Sequence, residues 1–585
     1  VLDAEAAQEF VELGLEEPAV AVLEHDVVGG LRPGRYHRRM PRHLAAVDTL
    51  EPAEVDPRAE QHMVPMRDGI SLATDVYLPE GTGPWPSVLV RLPYDKNGRY
   101  CWMSFISRYF TERGYAFLPQ DVRGKFRSEG ETNAFVHEIE DGSDTIDWIT
   151  RQEWANGAVG MWGDSYYGFT QWAAVASGHP ALKAIVPRVT VADLFEWLGG
   201  VTPLYGAHYL AEFWTDERTH HWTPDWTHRP LSEVFDSGFE AIGRRSIAFD
   251  RLLAEAHGQA PVNLYAKGHP FDRLRIPTLH GVGWFDNITP PHMLDYERLA
   301  GDPATAPFQY LHAGSTDHEN YQFEAVPIPE SLDHDAHDDA LEQMLPRYLE
   351  PALEFFDAFL ASRTDPESVP RVRWHLGNDD WHTSPTWPPP GSQEQRLYLS
   401  DSGSLLPGPA GEGAIGWLHD PENLVPSTIE NPFAFLYEYP DEGEVAARPD
   451  VVVFTGDELT TPLPLSGRVV AHLRVGSDGP SMYLHVKLVD VAPDGGSHIL
   501  LYGQQAVHAP GEGTPVDVNL GHTGHRLAPG HRLRLQIASS DYPLFVPHPG
   551  TAESPWYAVH TAVNRQRVLT GGAAPSYLSL TVLGS

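Results

Sequence analysis

Ser165 lies between glycines in Gly160-Met161-Trp162-Gly163-Asp164-Ser165-Tyr166-Tyr167-Gly168, where a short apolar run meets a helical pattern. A sharp strand-to-helix turn can push a hydroxyl clear of the backbone there, provided that residues are small where strand and helix approach. The second glycine comes one residue later than in the G-x-S-x-G spacing, behind Tyr166 and Tyr167. A serine hydroxyl is a weak nucleophile until an imidazole takes its proton, and the imidazole needs a carboxylate to fix its tautomer. Two later segments offer those groups. Gly283-Trp284-Phe285-Asp286 places Asp286 at the end of an apolar run, and Gly314-Ser315-Thr316-Asp317-His318 places His318 just past the next one. His312, inside that run, is the poorer base. Taken singly, the aspartate reads as a helix cap and the histidine as a solvated loop residue. The order Ser, Asp, His at strand ends of one pattern makes them a set.

Such a set needs a sheet whose strand ends converge. From Met63 strands are predicted at 64–66, 70–78, 87–92, 115–119 and 184–187, with a short strand into Ser165, and helices at 104–113, 138–151 and 165–177. Alternation at this spacing predicts an α/β sheet with crossover helices. Between 191 and 274 the alternation fails, and Phe195, Trp197, Tyr205, Tyr209, Phe213, Trp214, Trp222 and Trp226 crowd together as in a helical cap. Trp197, Trp214 and Trp222, with Phe285, are the candidate pocket residues. The α/β pattern resumes over 275–368, and from 369 to 585 the texture is period two, with Val469, Ala471, Leu473 and Val475 alternating with Val470, His472 and Arg474. A terminal β-sandwich of jelly-roll type follows. The expected organisation is therefore an extension at 1–60, an α/β domain in two parts at 61–190 and 275–368, a cap at 191–274 and a β domain at 369–585.

Acidic residues outnumber basic ones 80 to 41, for a formal net charge of −39 in 585 residues. That balance repels nucleic acid and anionic membranes, leaving a small molecule as the expected partner; association of identical chains is left open. The single cysteine, Cys101, allows no intrachain disulfide and fits a reducing compartment, the cytoplasm. No apolar run reaches the ~18 residues of a spanning helix. No cofactor is expected. Asp333-His334-Asp335-Ala336-His337-Asp338-Asp339 has metal-ligand residue types without a ligand spacing, so no metal is expected either.

Several segments together carry a resemblance: Arg91-Leu92-Pro93-Tyr94-Asp95-Lys96, Gln120-Asp121-Val122-Arg123-Gly124 with Ser128-Glu129-Gly130-Glu131, the serine turn, Gly283-Trp284-Phe285-Asp286 and the terminal β region. From about residue 61 onward the chain resembles the cocaine esterase and X-Pro dipeptidyl-peptidase family of α/β-hydrolases, which includes α-amino-acid ester hydrolases and glutaryl-cephalosporin acylases. The resemblance implies Ser165 as nucleophile, His318 as general base and Asp286 as its orienter. It also implies an oxyanion hole made by the Tyr94 hydroxyl and the backbone N–H of Tyr166. Two departures bear on substrate. Ser315 and Thr316 stand where the family has a Gly-Pro-Trp turn, and Asn287, Ile288 and Thr289 replace the acidic residues that bind an ammonium group in amino-ester hydrolases. The expected activity is hydrolysis of a small ester or amide through an acyl-enzyme. The alternatives are acyl transfer to another acceptor, X-Pro peptide cleavage, and a glycan-binding or other ligand-binding protein on an inactive hydrolase scaffold.

Overall fold

Ten strands build the first sheet: β1 (Glu60–Pro65), β2 (Ser71–Val76), β3 (Trp85–Leu92), β4 (Ala116–Asp121), β5 (Ala155–Asp164), β6 (Leu182–Arg188), β7 (Thr278–Gly283), β8 (Gln309–Gly314), β9 (Val372–His375) and β10 (Trp381–Ser384). Their order is β1-β2-β4-β3-β5-β6-β7-β8-β9-β10. The computed structural model describes residues 52–193, 200–213, 224–243, 245–256 and 263–584, all within one compact unit, Leu44–Ser585. From β4 to β9 neighbouring strands run parallel, while β1, β2 and β10 pair antiparallel at the edges. Parallel strands are covered on both faces and therefore carry unbroken apolar runs. That is why β4 is buried along its whole length.

The covering helices are α1 (Met103–Glu112), α2 (Glu138–Thr150) and α3 (Ser165–Ser177), followed by α4 (Leu204–Glu212), α5 (Leu231–Ile242) and α6 (Ile247–Ala256), then α7 (Thr289–Gly301) and α8 (Asp338–Phe359). Helix α3, buried from Tyr166 to Ala176, ends on Gly178 in the left-handed region at φ 70°. Between the two halves of the sheet, α4 to α6 pack Leu204, Phe235, Phe249 and Leu252 against Val546 and Trp556 of the terminal domain.

That terminal domain has two antiparallel sheets, of seven and four strands. Leu463–Ser477 pairs with Thr514–Leu527 in the larger, and Ser481–Val491 with Ser497–His508 in the smaller. Val469, Ala471, Leu473 and Val475 are buried as the period-two pattern requires. Val372–His375 and Trp381–Ser384, inside the span expected for the β domain, extend the first sheet. A short alternating strand carries no mark of which sheet it will join, and here β9 continues the parallel pairing from β8. One apolar core runs through both domains, with Trp284, Phe285 and Trp374 packed together with Leu484, Leu520 and Leu535.

Candidate active site

β5 delivers Ser165 to the first turn of α3 with its φ at 51°, a left-handed value that a serine adopts only under constraint. The glycines on either side make the turn possible. Gly163 has φ 144°, and a Cβ there would stand 2.0 Å from the Tyr167 ring; a Cβ on Gly168 would stand 2.6 Å from Thr190. Thr190 Oγ1 then donates to the Ser165 carbonyl at 2.7 Å, bracing the turn from the end of β6.

Asp286 and His318 come from the segments after β7 and β8. These are zipped together by Trp284 N–H to the Gly314 carbonyl at 2.8 Å and Phe285 N–H to the Thr316 carbonyl at 3.0 Å. His318 Nδ1 lies 3.0 Å from Asp286 Oδ1, which also accepts the Ile288 N–H at 2.9 Å. Burial opposes charging of His318, but the Asp286 carboxylate and its hydrogen bond, with Glu319 and Asp164 adding negative charge, outweigh it and push the imidazole up to about 9. Ser165 and His318 line one cavity of about 250 Å³, together with Tyr94, Tyr166, Glu319 and Phe433. The Tyr94 hydroxyl is 3.2 Å from that of Tyr209. The Tyr166 hydroxyl is turned away, donating to Glu138 Oε1 at 2.8 Å and accepting the Phe135 N–H at 2.9 Å. Its own backbone N–H belongs to the first turn of α3, where amides have no intrahelical acceptor.

Phe285 is a correction. It does not line this cavity, but stacks on Phe323 at 5.0 Å and Phe435 at 6.3 Å in the core between the domains. In the irregular segment after β7 the Asp286 carboxylate meets His318 while the neighbouring Phe285 ring joins the apolar core. Trp197, Trp214 and Trp222 lie outside the described residues. His312 stands in β8, stacked on Trp381 at 4.8 Å, with burial holding it down to about 3. The acidic cluster is engaged locally: Asp333 accepts the Tyr321 hydroxyl, His334 Nε2 donates to the Glu319 carbonyl at 2.7 Å, and Asp338 pairs with Arg99.

Comparison with known proteins places this geometry. Residues 68–320 match the X-Pro dipeptidyl-peptidase (S15 family), and residues 365–579 match the X-Pro dipeptidyl-peptidase C-terminal non-catalytic domain. The cocaine esterase of Rhodococcus sp. (strain MB1 Bresler) is 30% identical, over 90% of this chain and 98% of its own. The chain belongs to the S15 family and is a homologue of cocaine esterase. Among solved structures, an α-amino acid ester hydrolase superposes with TM-score 0.73 at 25% identity, covering 91% of this chain and 98% of its own. An aminopeptidase from a marine sediment archaeon, Thaumarchaeota archaeon, shares the fold with TM-score 0.74 at 24% identity, over 92% and 99%.

In this S15 hydrolase the sequence left several cavity residues unmarked. Tyr205 and Tyr209, four apart on α4, reach the cavity from the aromatic run, and nothing in the pattern separated them from their neighbours. Phe433 arrives from the terminal β domain, with its ring 5.1 Å from that of His318. A lone phenylalanine between strands carries no signal of that role. Asp164 was visible only as the residue before the serine.

Proposed function

We propose that this S15 hydrolase cleaves ester or amide bonds of small neutral or cationic molecules through an acyl-enzyme on Ser165. The observation that carries the reading is the His318–Asp286 hydrogen bond of 3.0 Å, at the wall of the cavity that Ser165 also lines. His318 takes the Ser165 proton as Oγ forms a bond to the acyl carbon, then gives it to the leaving oxygen or nitrogen as that bond breaks. Water, deprotonated in turn by His318, attacks the acyl-enzyme and frees the acid. Tyr166 N–H and the Tyr94 hydroxyl donate to the oxyanion. Asp164 and Glu319 line the cavity, and among its described lining residues there is no lysine or arginine. With His318 neutral, as its role as base requires, an anionic acyl group would meet the Glu319 carboxylate and an Asp164 already paired with Arg188, with no cation on the described cavity wall to receive it. A buried lone cysteine fits a reducing compartment, and we place the chain in the cytoplasm.

Intact-mass analysis after fluorophosphonate treatment tests the nucleophile: one adduct on wild type, none on Ser165→Ala. A panel of matched esters with neutral, ammonium and carboxylate acyl groups tests the charge preference, the carboxylate being the poorest substrate by at least ~10-fold in kcat/KM. An unlabelled, folded wild type would defeat the reading.

A further inference from the structure

Arg188 is the last residue of β6, aligned with Asp164 on β5 and Gly281 on β7. Its side chain does not leave the sheet for solvent. The stem crosses Gly281, where a Cβ would stand 2.5 Å from Arg188 Cγ, so a side chain at 281 would block the path. The guanidinium then forks. Nε donates to Asp164 Oδ1 at 2.8 Å, and Nη2 donates to Asn320 Oδ1 at 2.8 Å. Tyr348 closes the arrangement, its ring 4.4 Å from the guanidinium carbon and its hydroxyl donating to Asp164 Oδ2 at 2.8 Å. Asp164 precedes the nucleophile, and Asn320 comes two residues after His318. Asn320 is itself buried, with φ 69° and its carbonyl accepting Arg347 Nη2 at 2.9 Å.

One planar, always-charged group thus bonds to the serine turn with one nitrogen and to the histidine loop with another. These two segments come from different strand ends, joined by nothing local in sequence. We infer that Arg188 is a positioning residue whose Asp164–Arg188–Asn320 clamp fixes the distance between Ser165 and His318; this rests on the acyl-enzyme reading above. The geometry suits the task. Proton transfer between hydroxyl and imidazole needs heavy atoms within hydrogen-bond reach, and the Ser165 backbone sits in a conformation that relaxes unless its surroundings hold it. A lysine at 188 would keep the charge beside Asp164 but lacks the fork that spans to Asn320.

The test compares wild type, Arg188→Lys, Asn320→Gly and the double variant, by steady-state kinetics on one ester and by the rate of fluorophosphonate labelling. Glycine at 320 accepts the left-handed backbone without strain and removes the amide that Arg188 bonds to. Asn320→Gly should lose at least ~10-fold and Arg188→Lys about 100-fold in kcat, with KM within about threefold of wild type and labelling slowed in parallel. The double variant should lose no more than Arg188→Lys alone, since both remove one clamp. The inference is overturned if Asn320→Gly keeps wild-type kcat, if the two losses multiply, or if they appear in KM. Should Arg188→Lys fail to fold, the Asn320→Gly result decides. Wild type that labels normally beside unaffected variants sinks the clamp alone, whereas wild type that does not label at all removes the nucleophile and the clamp with it.

Discussion

His318 faces two opposing demands. Burial disfavours its charge, yet Asp286, Glu319 and Asp164 together hold the imidazolium so well that it keeps its proton up to about pH 9. A general base must be neutral to accept a proton, so kcat/KM rises with pH along a limb centred near 9. Glu319→Gln removes one of the charges that favour the imidazolium and moves that limb toward acid. A pH profile of the two proteins checks both statements, and a limb that stays in place or moves toward alkali contradicts them. Stability runs the other way. The folded value lies above the ordinary 6.5, so the charged His318–Asp286 pair stabilises fully below 6.5 and that contribution is lost as pH rises through about 9. Tyr94 makes a different claim. If its hydroxyl meets the oxyanion, Tyr94→Phe lowers kcat by ~10²-fold or more while KM stays near wild type; a drop confined to KM would make the tyrosine a wall of the cavity and no more.

At the scale of elements, the turn between β5 and α3 combines a positive-φ serine with a glycine at φ 144° whose missing Cβ is space already taken by Tyr167. Gly163→Ala adds overpacking of about 1–3 kcal/mol and backbone strain of about the same size. Urea unfolding should show a loss of that combined order, and a stability within 0.5 kcal/mol of wild type, the usual range for an innocuous change, would show that the turn relaxes freely. These same elements explain what the sequence could disclose. Parallel strands buried on both faces leave unbroken apolar runs, and strand-to-helix turns leave glycines, so the sheet and the positions of Ser165, Asp286 and His318 were legible. The extra strands β9 and β10 were not, because period two marks a half-buried strand without naming its partner. Contacts made across hundreds of residues, such as Phe433 against His318, are written in no local pattern. Nor is the path of Arg188 over Gly281, which appears only when strands distant in sequence are aligned.

The catalytic sheet and the β domain are bound together through the histidine loop. Asp317, fully buried next to His318, accepts the Tyr321 N–H at 2.9 Å with one carboxylate oxygen and the Leu436 N–H of the β domain at 2.9 Å with the other. Glu319 N–H reaches the Phe433 carbonyl at 3.2 Å. Around these bonds the apolar core is continuous from Trp284 and Phe285 to Leu484 and Leu535. Domains joined by a large apolar interface do not open independently, so the chain should unfold in one transition in which tryptophan fluorescence and far-UV circular dichroism change together. Asp317→Ala then exposes the role of the loop. It leaves two buried N–H groups without acceptors, at about 1–3 kcal/mol each, and unties the β domain from the segment that holds the base. The expected outcome is a lower midpoint together with a fall in kcat, because the same carboxylate serves both packing and alignment. A lower midpoint with kcat unchanged would mean that the β domain stabilises the catalytic sheet without setting the position of His318, and a second, separate transition in wild type would mean that the shared core does not couple the domains.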